Sequence, residues 1–568
     1  MQEQAPLLTE VSGGTSIVFK NKELYSRRAP RARAEERAGA FTLEAHTLYL
    51  LASPLLWYGV ERLLDKLPES SHIIAVEAEP QLAALSRKES PPVIALHERF
   101  HICFAEKPNG HTANLLREVK ELLCEIGTER FRRVRLITLN GGYRLNSHHY
   151  SELHQLMQEE IQQFWQNKYT LMHMLPLWIK NIFRNYAQWS HDCSSQRLRF
   201  GLPQTTLPVI VAGAGPSLEQ HLEFLKQHRS RFYLLAVDTA YSTLLQSGIT
   251  PDLTVVQESQ FYNLYDFLSH PQLQCDLLAD ISSYPRVVRL ADEWNCGKRV
   301  YLFASEFADI SLFHRLKAAD LLPPIFPPLG SVGTTAVRAA LQISNSEVII
   351  AGLDFAFPSG QTHSRGTPHH QLSLLHCSRL RELEDMTSRT TKGVTPEPGL
   401  TDSVGRRWFT APILRRYAEN FIRIFGSVER MHLLKPRGLP LGISELPQAE
   451  LSSYLLALQP PPGKAATSAP TLLEKAGRGA VTTFLRKERD SLYSLYERGT
   501  WFLQGTLADD EVERLTADIN RCEYLFLHFP ETGYSLPSVN PTLMKRLLVS
   551  AGHYIRVIEE ALELIPRS

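Results

Sequence analysis

The segment 207–225, LPVIVAGAGPSLEQHLEFL, constrains this chain more than any other. Its opening is apolar on both faces, which reads as a strand buried inside a parallel sheet. A turn follows at Gly213-Ala214-Gly215-Pro216-Ser217, and then a helix. Gly213 and Gly215 permit a tight turn and a close approach of another group to the backbone. Ser217 is an N-cap candidate, with Gln220 three residues on as in a capping box. A helix that starts there turns free N–H groups and a positive dipole end toward whatever lies over the turn, which favours phosphate. The plainer alternative is a tight strand-to-helix connection. Later segments argue for the ligand. Phe232–Val237 reads as a second strand ending at Asp238, and Leu253–Gln257 as a third ending at Glu258. In open α/β sheets ligands sit outside the carboxyl ends of the strands. Two acidic side chains at that edge can accept from ribose hydroxyls or hold a hydrated cation.

Two more segments converge on the same edge. PPLGSVGTTAVRAAL (327–341) is a second glycine-rich loop feeding a helix, with hydroxyls at Ser331, Thr334 and Thr335. EVIIAGLDFAF (347–357) is a buried strand that ends in Gly352 and Asp354, and the polar loop PSGQTHSRG follows with His363 and Arg365. His363 has the ordinary pKa range of a general base, and its alternative is a surface loop histidine. Asp354 either steadies a positive centre, orients His363, or simply accepts from nearby backbone N–H groups. His369 and His370, with no metal set around them, read as loop residues within reach of substrate. Arg406-Arg407-Trp408 and Arg415-Arg416 either grip a carboxylate and a sugar face or form a solvated helix face.

A chain of 568 residues exceeds one hydrophobic core. Three regions are expected. Residues 1–190 form an α/β domain whose first thirty residues or so, with the Arg27–Arg37 stretch, read as poorly ordered. In it Thr47–Leu51, Leu55–Leu67 and His72–Glu77 run strand, helix, strand, as in a Rossmann unit, yet ASPLLWYG stands where its glycine turn belongs. A scaffold or recognition role is expected for that degenerate domain, with a lost or altered ligand site as the alternative. Residues 200–445 hold the motifs above. Residues 446–568 follow with a Pro/Ala/Ser linker at Gln459–Pro470 and then helical periodicity at Leu472–Glu497, Ala508–Leu527 and Pro541–Leu564, a helical bundle. Lys+Arg (61) balances Asp+Glu (60), which disfavours a nucleic-acid partner. Seven scattered cysteines, no signal-like N-terminus and no membrane-length apolar run lead to the expectation of a cytoplasmic protein.

GAGPSL, GITPDLTVVQE, GSVGTTA and GLDFAFPSGQTHSRG together resemble the motility accessory factor family of flagellin glycosyltransferases. That superfamily includes an archaeal 6-hydroxymethyl-7,8-dihydropterin pyrophosphokinase, and the motifs are similar to those of bacterial sialyltransferases. The resemblance spans about residues 200–445. It implies a Rossmann-like, sialyltransferase-like central domain that moves a nonulosonic acid, of pseudaminic or legionaminic type, from a CMP donor to Ser/Thr of flagellin. It implies that Gly213, Gly215, Pro216 and Ser217 meet the CMP, that Asp238 and Glu258 bracket nucleotide hydroxyls, and that Gly330, Ser331 and Val332 lie along the cytidine and phosphate. Thr334, Thr335 and Arg365 are the candidates for stabilising the leaving group, because Ala356 stands where sialyltransferases carry a phosphate-binding Tyr. Glu258 replaces an expected Asp or Asn. No metal is expected in this reading. The alternatives are a pterin-type diphosphotransferase using ATP and Mg²⁺, and a non-catalytic accessory protein that binds flagellin or nucleotide.

Overall fold

The computed structural model describes the chain except residues 1–4, 106–110, 193–197, 269, 271, 294–296, 308–309, 384–395, 402–404, 436, 459–466, 469–471, 534, 537 and 566–568. It divides into two units, Met1–His173 with Leu527–Leu536, and Met174–Phe526 with Pro537–Ser568. No helix among the described residues is long and apolar enough to cross a membrane.

The first unit begins with an antiparallel meander, β1 (Leu7–Val11), β2 (Gly14–Phe19) and β3 (Lys22–Glu23). This corrects the expectation of a poorly ordered start. Ile17, Phe19, Leu24 and Tyr25 bury against Ala34, Leu55 and Leu82, and that apolar burial offsets the entropy of ordering the segment. The arginine-rich stretch enters a helix, Pro30–Ala40, that starts on a proline and turns Ala34 and Ala38 inward.

Four parallel strands follow, β4 (Thr47–Ala52), β5 (His72–Glu77), β6 (Phe100–Phe104) and β7 (Arg133–Thr138), in the order β6-β5-β4-β7. The helix expected from Leu55 begins only at Val60. Between them Ser53, Leu55, Trp57 and Gly59 all have positive φ (55°, 50°, 62° and 83°). Side-chain-bearing residues rarely adopt that region, and here neighbours hold them in it. Leu56 N–H donates to the Tyr25 hydroxyl (3.3 Å), Asn140 Nδ2 donates to the Ser53 carbonyl (2.7 Å), and Trp57 Nε1 donates to the Ser86 carbonyl (2.8 Å). Glu77, at the end of β5, accepts from Ser53 Oγ (2.6 Å) and the Tyr150 hydroxyl (3.3 Å). Burial pushes its pKa up to about 7. The protein's own hydroxyls occupy the carboxylate that a ribose would need.

The division between the units falls inside one helix, Ser147–Asp192. The second unit adds β8 (Leu198–Phe200), β9 (Pro203–Gln204), β10 (Val209–Ala212), β11 (Tyr233–Val237), β12 (Leu253–Val256), β13 (Asp276–Asp280), β14 (Val300–Ser305), β15 (Ile325–Phe326) and β16 (Val348–Ala351). Short pieces complete it: β17 (Phe357–Pro358), β18 (Pro396–Thr401), β19 (Arg407–Phe409), β20 (Met431–Leu433), β21 (Ser444–Glu445) and β22 (Thr467–Ser468). Ten strands form one sheet in the order β15-β14-β13-β12-β11-β10-β16-β20-β21, with β8 beside β14. Every pairing in it is parallel. Strands buried on both faces need apolar residues at every position, and β10, β12 and β16 are buried throughout.

Two region boundaries shift. The helix Gln448–Ala457 sends Leu451 and Leu455 into the central core, so that core extends past residue 445. The helices Leu472–Gln504, Asp509–Asn520 and Pro541–Glu563 belong to the same unit as the large sheet. Phe183 packs on Tyr524 and Tyr554, and Arg315 Nε donates to buried Glu488 (2.5 Å). Most of the expected linker at Gln459–Pro470 lies outside the described residues.

Candidate active site

Strand order reverses at β10. From it the chain proceeds one way through β11 to β15 and returns on the other side as β16 and β20. Such a switch point opens a crevice at the carboxyl ends of the strands. The first glycine turn lies there, and its amides are bound within the protein. Gly213 N–H donates to Ala351 O (2.8 Å) and Gly215 N–H to Gly352 O (2.7 Å). Ser217 N–H donates to Asp354 Oδ2 (2.9 Å) and Ser217 Oγ to Asp354 Oδ1 (2.5 Å). A Cβ on Gly215 would stand 2.7 Å from the Gly352 carbonyl oxygen and against the Asp354 carboxylate. The glycines are therefore needed because two backbones cross.

The capping box expected at Ser217 is absent. Pro216–His221 is a 3₁₀ turn with Gly215 at its N-cap, and the Ser217 hydroxyl is spent on Asp354. Asp354 is 4% exposed, and burial pushes its pKa up to about 6 against the opposing pull of the two Ser217 bonds. Of its sequence alternatives, bonding to neighbouring backbone N–H is the arrangement present.

Past the ends of β11 and β12 is a cleft of about 380 Å³ lined by Asp238, Glu258, Asn263 and Asp266. Asn263 Nδ2 joins two of the acids, donating to Asp238 Oδ2 (2.7 Å) and Asp266 Oδ2 (3.0 Å). Burial pushes Asp238 up to about 6, and burial with the neighbouring Asp238 charge pushes Asp266 up to about 8. Near neutral pH the pair retains one proton, on the more strongly raised Asp266. Tyr262, 60% exposed, and Tyr265 form an aromatic rim. No lysine or arginine among the described residues lines this cleft.

Val332 lines it too, at the start of the helix Val332–Ile343. Ser331 caps that helix, accepting from Thr334 N–H (3.2 Å) and exchanging a 2.7 Å bond with the Thr334 hydroxyl. The amides of the first turn have no intrahelical acceptor, so this glycine loop presents N–H groups where the first one does not. Gly330 needs its residue type twice over: its φ is +87°, and the Tyr417 ring comes within 3.0 Å of where a Cβ would be. Asn420, one turn on, donates to the Leu329 carbonyl (3.2 Å). Thr335 Oγ1 donates to Gln257 Oε1 (2.9 Å) and, like Thr334, is buried.

The polar loop divides differently from its sequence reading. His369 is helical, in Pro368–Leu375 capped by Thr367, and it lines the cleft. His363 is exposed, with Nδ1 facing Thr362 Oγ1 (3.2 Å) and its ring edge-on to His369 at 6.4 Å. Arg365 points its backbone inward, the N–H to Glu219 (2.6 Å) and the carbonyl to Thr243 (2.9 Å). Trp408 is 2% exposed within the core and lies on β19, so it forms neither a sugar-gripping ring nor part of a solvated helix face, while Arg415 and Arg416 are exposed. Sequence reasoning missed Asn263, Asp266, the two rim tyrosines and Tyr417. The run Phe261-Tyr262 with Tyr265, three aromatics in five residues directly after a strand-end acid, was the available signal.

Residues 180–360 match the family model described as 6-hydroxymethylpterin diphosphokinase MptE-like. An uncharacterised protein of Treponema pallidum (strain Nichols) is 27% identical over 547 residues, covering 93% of this chain and 90% of its own. A second protein of that organism is 29% identical over 147 residues, 25% of this chain and 37% of its own. Among solved structures, the MAf glycosyltransferase of Magnetospirillum magneticum AMB-1 shares the fold with a TM-score of 0.56 at 15% identity, over 100% of this chain and 91% of that one.

Proposed function

From an MptE-like domain at residues 180–360 and the fold shared with a MAf glycosyltransferase, we propose that this chain is a glycosyltransferase drawing on a nucleotide-sugar donor. In the finer reading the donor is a CMP-activated nonulosonic acid and the acceptor a Ser/Thr hydroxyl of flagellin. The observation that carries the reading is the switch-point cleft, where the capped start of Val332–Ile343 meets the acids at the ends of β11 and β12. The Val332 and Gly333 amides with Ser331 take the donor phosphate. Asp238 and Glu258 accept from nucleotide hydroxyls. Gly213, Gly215, Pro216 and Ser217 act by fixing the wall of the crevice.

In the transfer the acceptor oxygen bonds to the anomeric carbon as the bond from that carbon to phosphate oxygen breaks. The nucleotide leaves with the electron pair, and a base takes the hydroxyl proton. His369, on the cleft, is assigned as the base, with His363 at its edge. Thr334 and Thr335 hold the amide loop in shape through Ser331 and Gln257, and Arg365 serves the outer loop.

One observation favours a second reading. A cleft with three carboxyls and no lysine or arginine among its described lining suits a nucleotide carried with a divalent cation, as in a diphosphotransferase using ATP and Mg²⁺. Calorimetric titration with CMP, CDP, GTP and ATP, each with and without Mg²⁺, separates the two. Intact-mass analysis of flagellin co-expressed with and without this protein tests the transfer itself. An unchanged flagellin mass alongside tight flagellin binding would leave only the accessory-protein reading.

A further inference from the structure

The helix Ser147–Asp192 begins with two histidines, and a glutamate follows one turn later. At 3.6 residues per turn His148, His149 and Glu152 fall on one face. Their ligand atoms all lie within 4.8 Å of one another. His148 Nδ1 is 3.4 Å from Glu152 Oε1, and His149 Nδ1 is 3.9 Å from Glu152 Oε2. Both separations exceed a hydrogen bond. They approach the edge of a tetrahedron with ligands at about 2.0–2.1 Å from its centre, which is about 3.3 Å. Each oxygen of the carboxylate faces a different imidazole, an arrangement that a shared cation would stabilise.

The turn carrying these groups is fixed from below. Tyr150, 1% exposed, accepts from Ala78 N–H (3.2 Å) and donates to Glu77 (3.3 Å). The three side chains are 81%, 38% and 42% exposed, and His149 Nδ1, the one covered ligand atom, is uncovered by a turn of its imidazole rather than by opening the fold. Two imidazoles and one carboxylate suit a borderline divalent ion, whereas Mg²⁺ and Ca²⁺ require oxygen-rich sets. The positive end of the helix opposes a cation, and the Glu152 charge counters it.

We propose that His148, His149 and Glu152 form a surface site for one divalent transition-metal ion of the zinc class, with a fourth position open to water or to a donor from another molecule. This site is separate from the cleft and independent of the transfer reaction proposed there. The test titrates the full chain, stripped with chelator, with Zn²⁺ by calorimetry and with Co²⁺ by visible absorption. We expect one equivalent of Zn²⁺ per chain at the tightest site, a tetrahedral Co²⁺ spectrum, and a rise in Tm with Zn²⁺. His149→Ala and Glu152→Gln should each lower the affinity at least tenfold and remove the Tm response, while their metal-free Tm matches the parent chain. A parent chain that takes up no Zn²⁺ at micromolar concentration overturns the site. So does a His148→Ala/His149→Ala double variant with unchanged stoichiometry and affinity, which would assign the uptake to other histidines.

Discussion

Replacing Gly215 by alanine separates a glycine that serves a phosphate from one that serves the fold. Its φ of −66° is open to alanine, so backbone strain contributes nothing. The cost comes from contact. The new methyl would stand 2.7 Å from the Gly352 carbonyl oxygen and against Asp354, and neither is a flexible side-chain end. Overpacking of this kind costs about 1–3 kcal/mol. The shift that relieves it weakens the Gly215–Gly352 bond, worth about 1 kcal/mol, and the charge-assisted Ser217–Asp354 pair, worth about 1.5–3 kcal/mol per bond. Lower unfolded-state entropy returns about 0.4–1 kcal/mol. At the low end of these ranges the net is about 4 kcal/mol, or roughly 5 °C in the midpoint of a unit this size. Thermal unfolding followed by circular dichroism reads that shift, and calorimetry with CMP on the variant below its transition reads the site. An unchanged midpoint with abolished nucleotide binding would refute the crossing-backbone account and restore Gly215 to phosphate approach.

His369→Ala should lower transfer by about 10²–10⁴-fold while donor binding persists, and His363→Ala should change it far less; the reverse order in initial-rate assays would return the base to His363. Asp266 titrates in the folded state near 8, far above an unfolded aspartate near 4, so between those values the unfolded chain binds fewer protons and stability falls as pH rises. Asp266→Asn should therefore raise Tm at pH 8 relative to the parent chain and change it little at pH 4; an equal effect at both would show that the carboxyl is not held protonated. A chain cut after residue 458 loses Tyr524, Tyr554 and the Glu488 partner of Arg315 from the second unit, so it should be insoluble or protease-sensitive. Cooperative unfolding of that fragment would show the helices to be dispensable.

The strands and turns of the second unit were legible because their residues admit few alternatives. Val209–Ala212 and Val348–Ala351 are apolar at every position, which only a strand covered on both faces can use. Each glycine turn announced a connection, and strand-end acids marked one edge of the sheet. The sequence alone thus determined a parallel α/β domain and the sheet edge at which the glycine loops and strand-end acids gather. Local pattern does not record which backbone amides remain free. Two glycine loops look alike in sequence, yet Asp354, 137 residues from Ser217, fills one, and Ser331 leaves the next amides of the other open. Likewise Tyr25 fills the turn at Ser53–Gly59, Asn263 pairs two acids, and Trp408 turns into the core. Each of these rests on contacts between residues distant in the chain. Hydrogen-bond partners and burial are properties of the packed state, so only the tertiary structure could decide them.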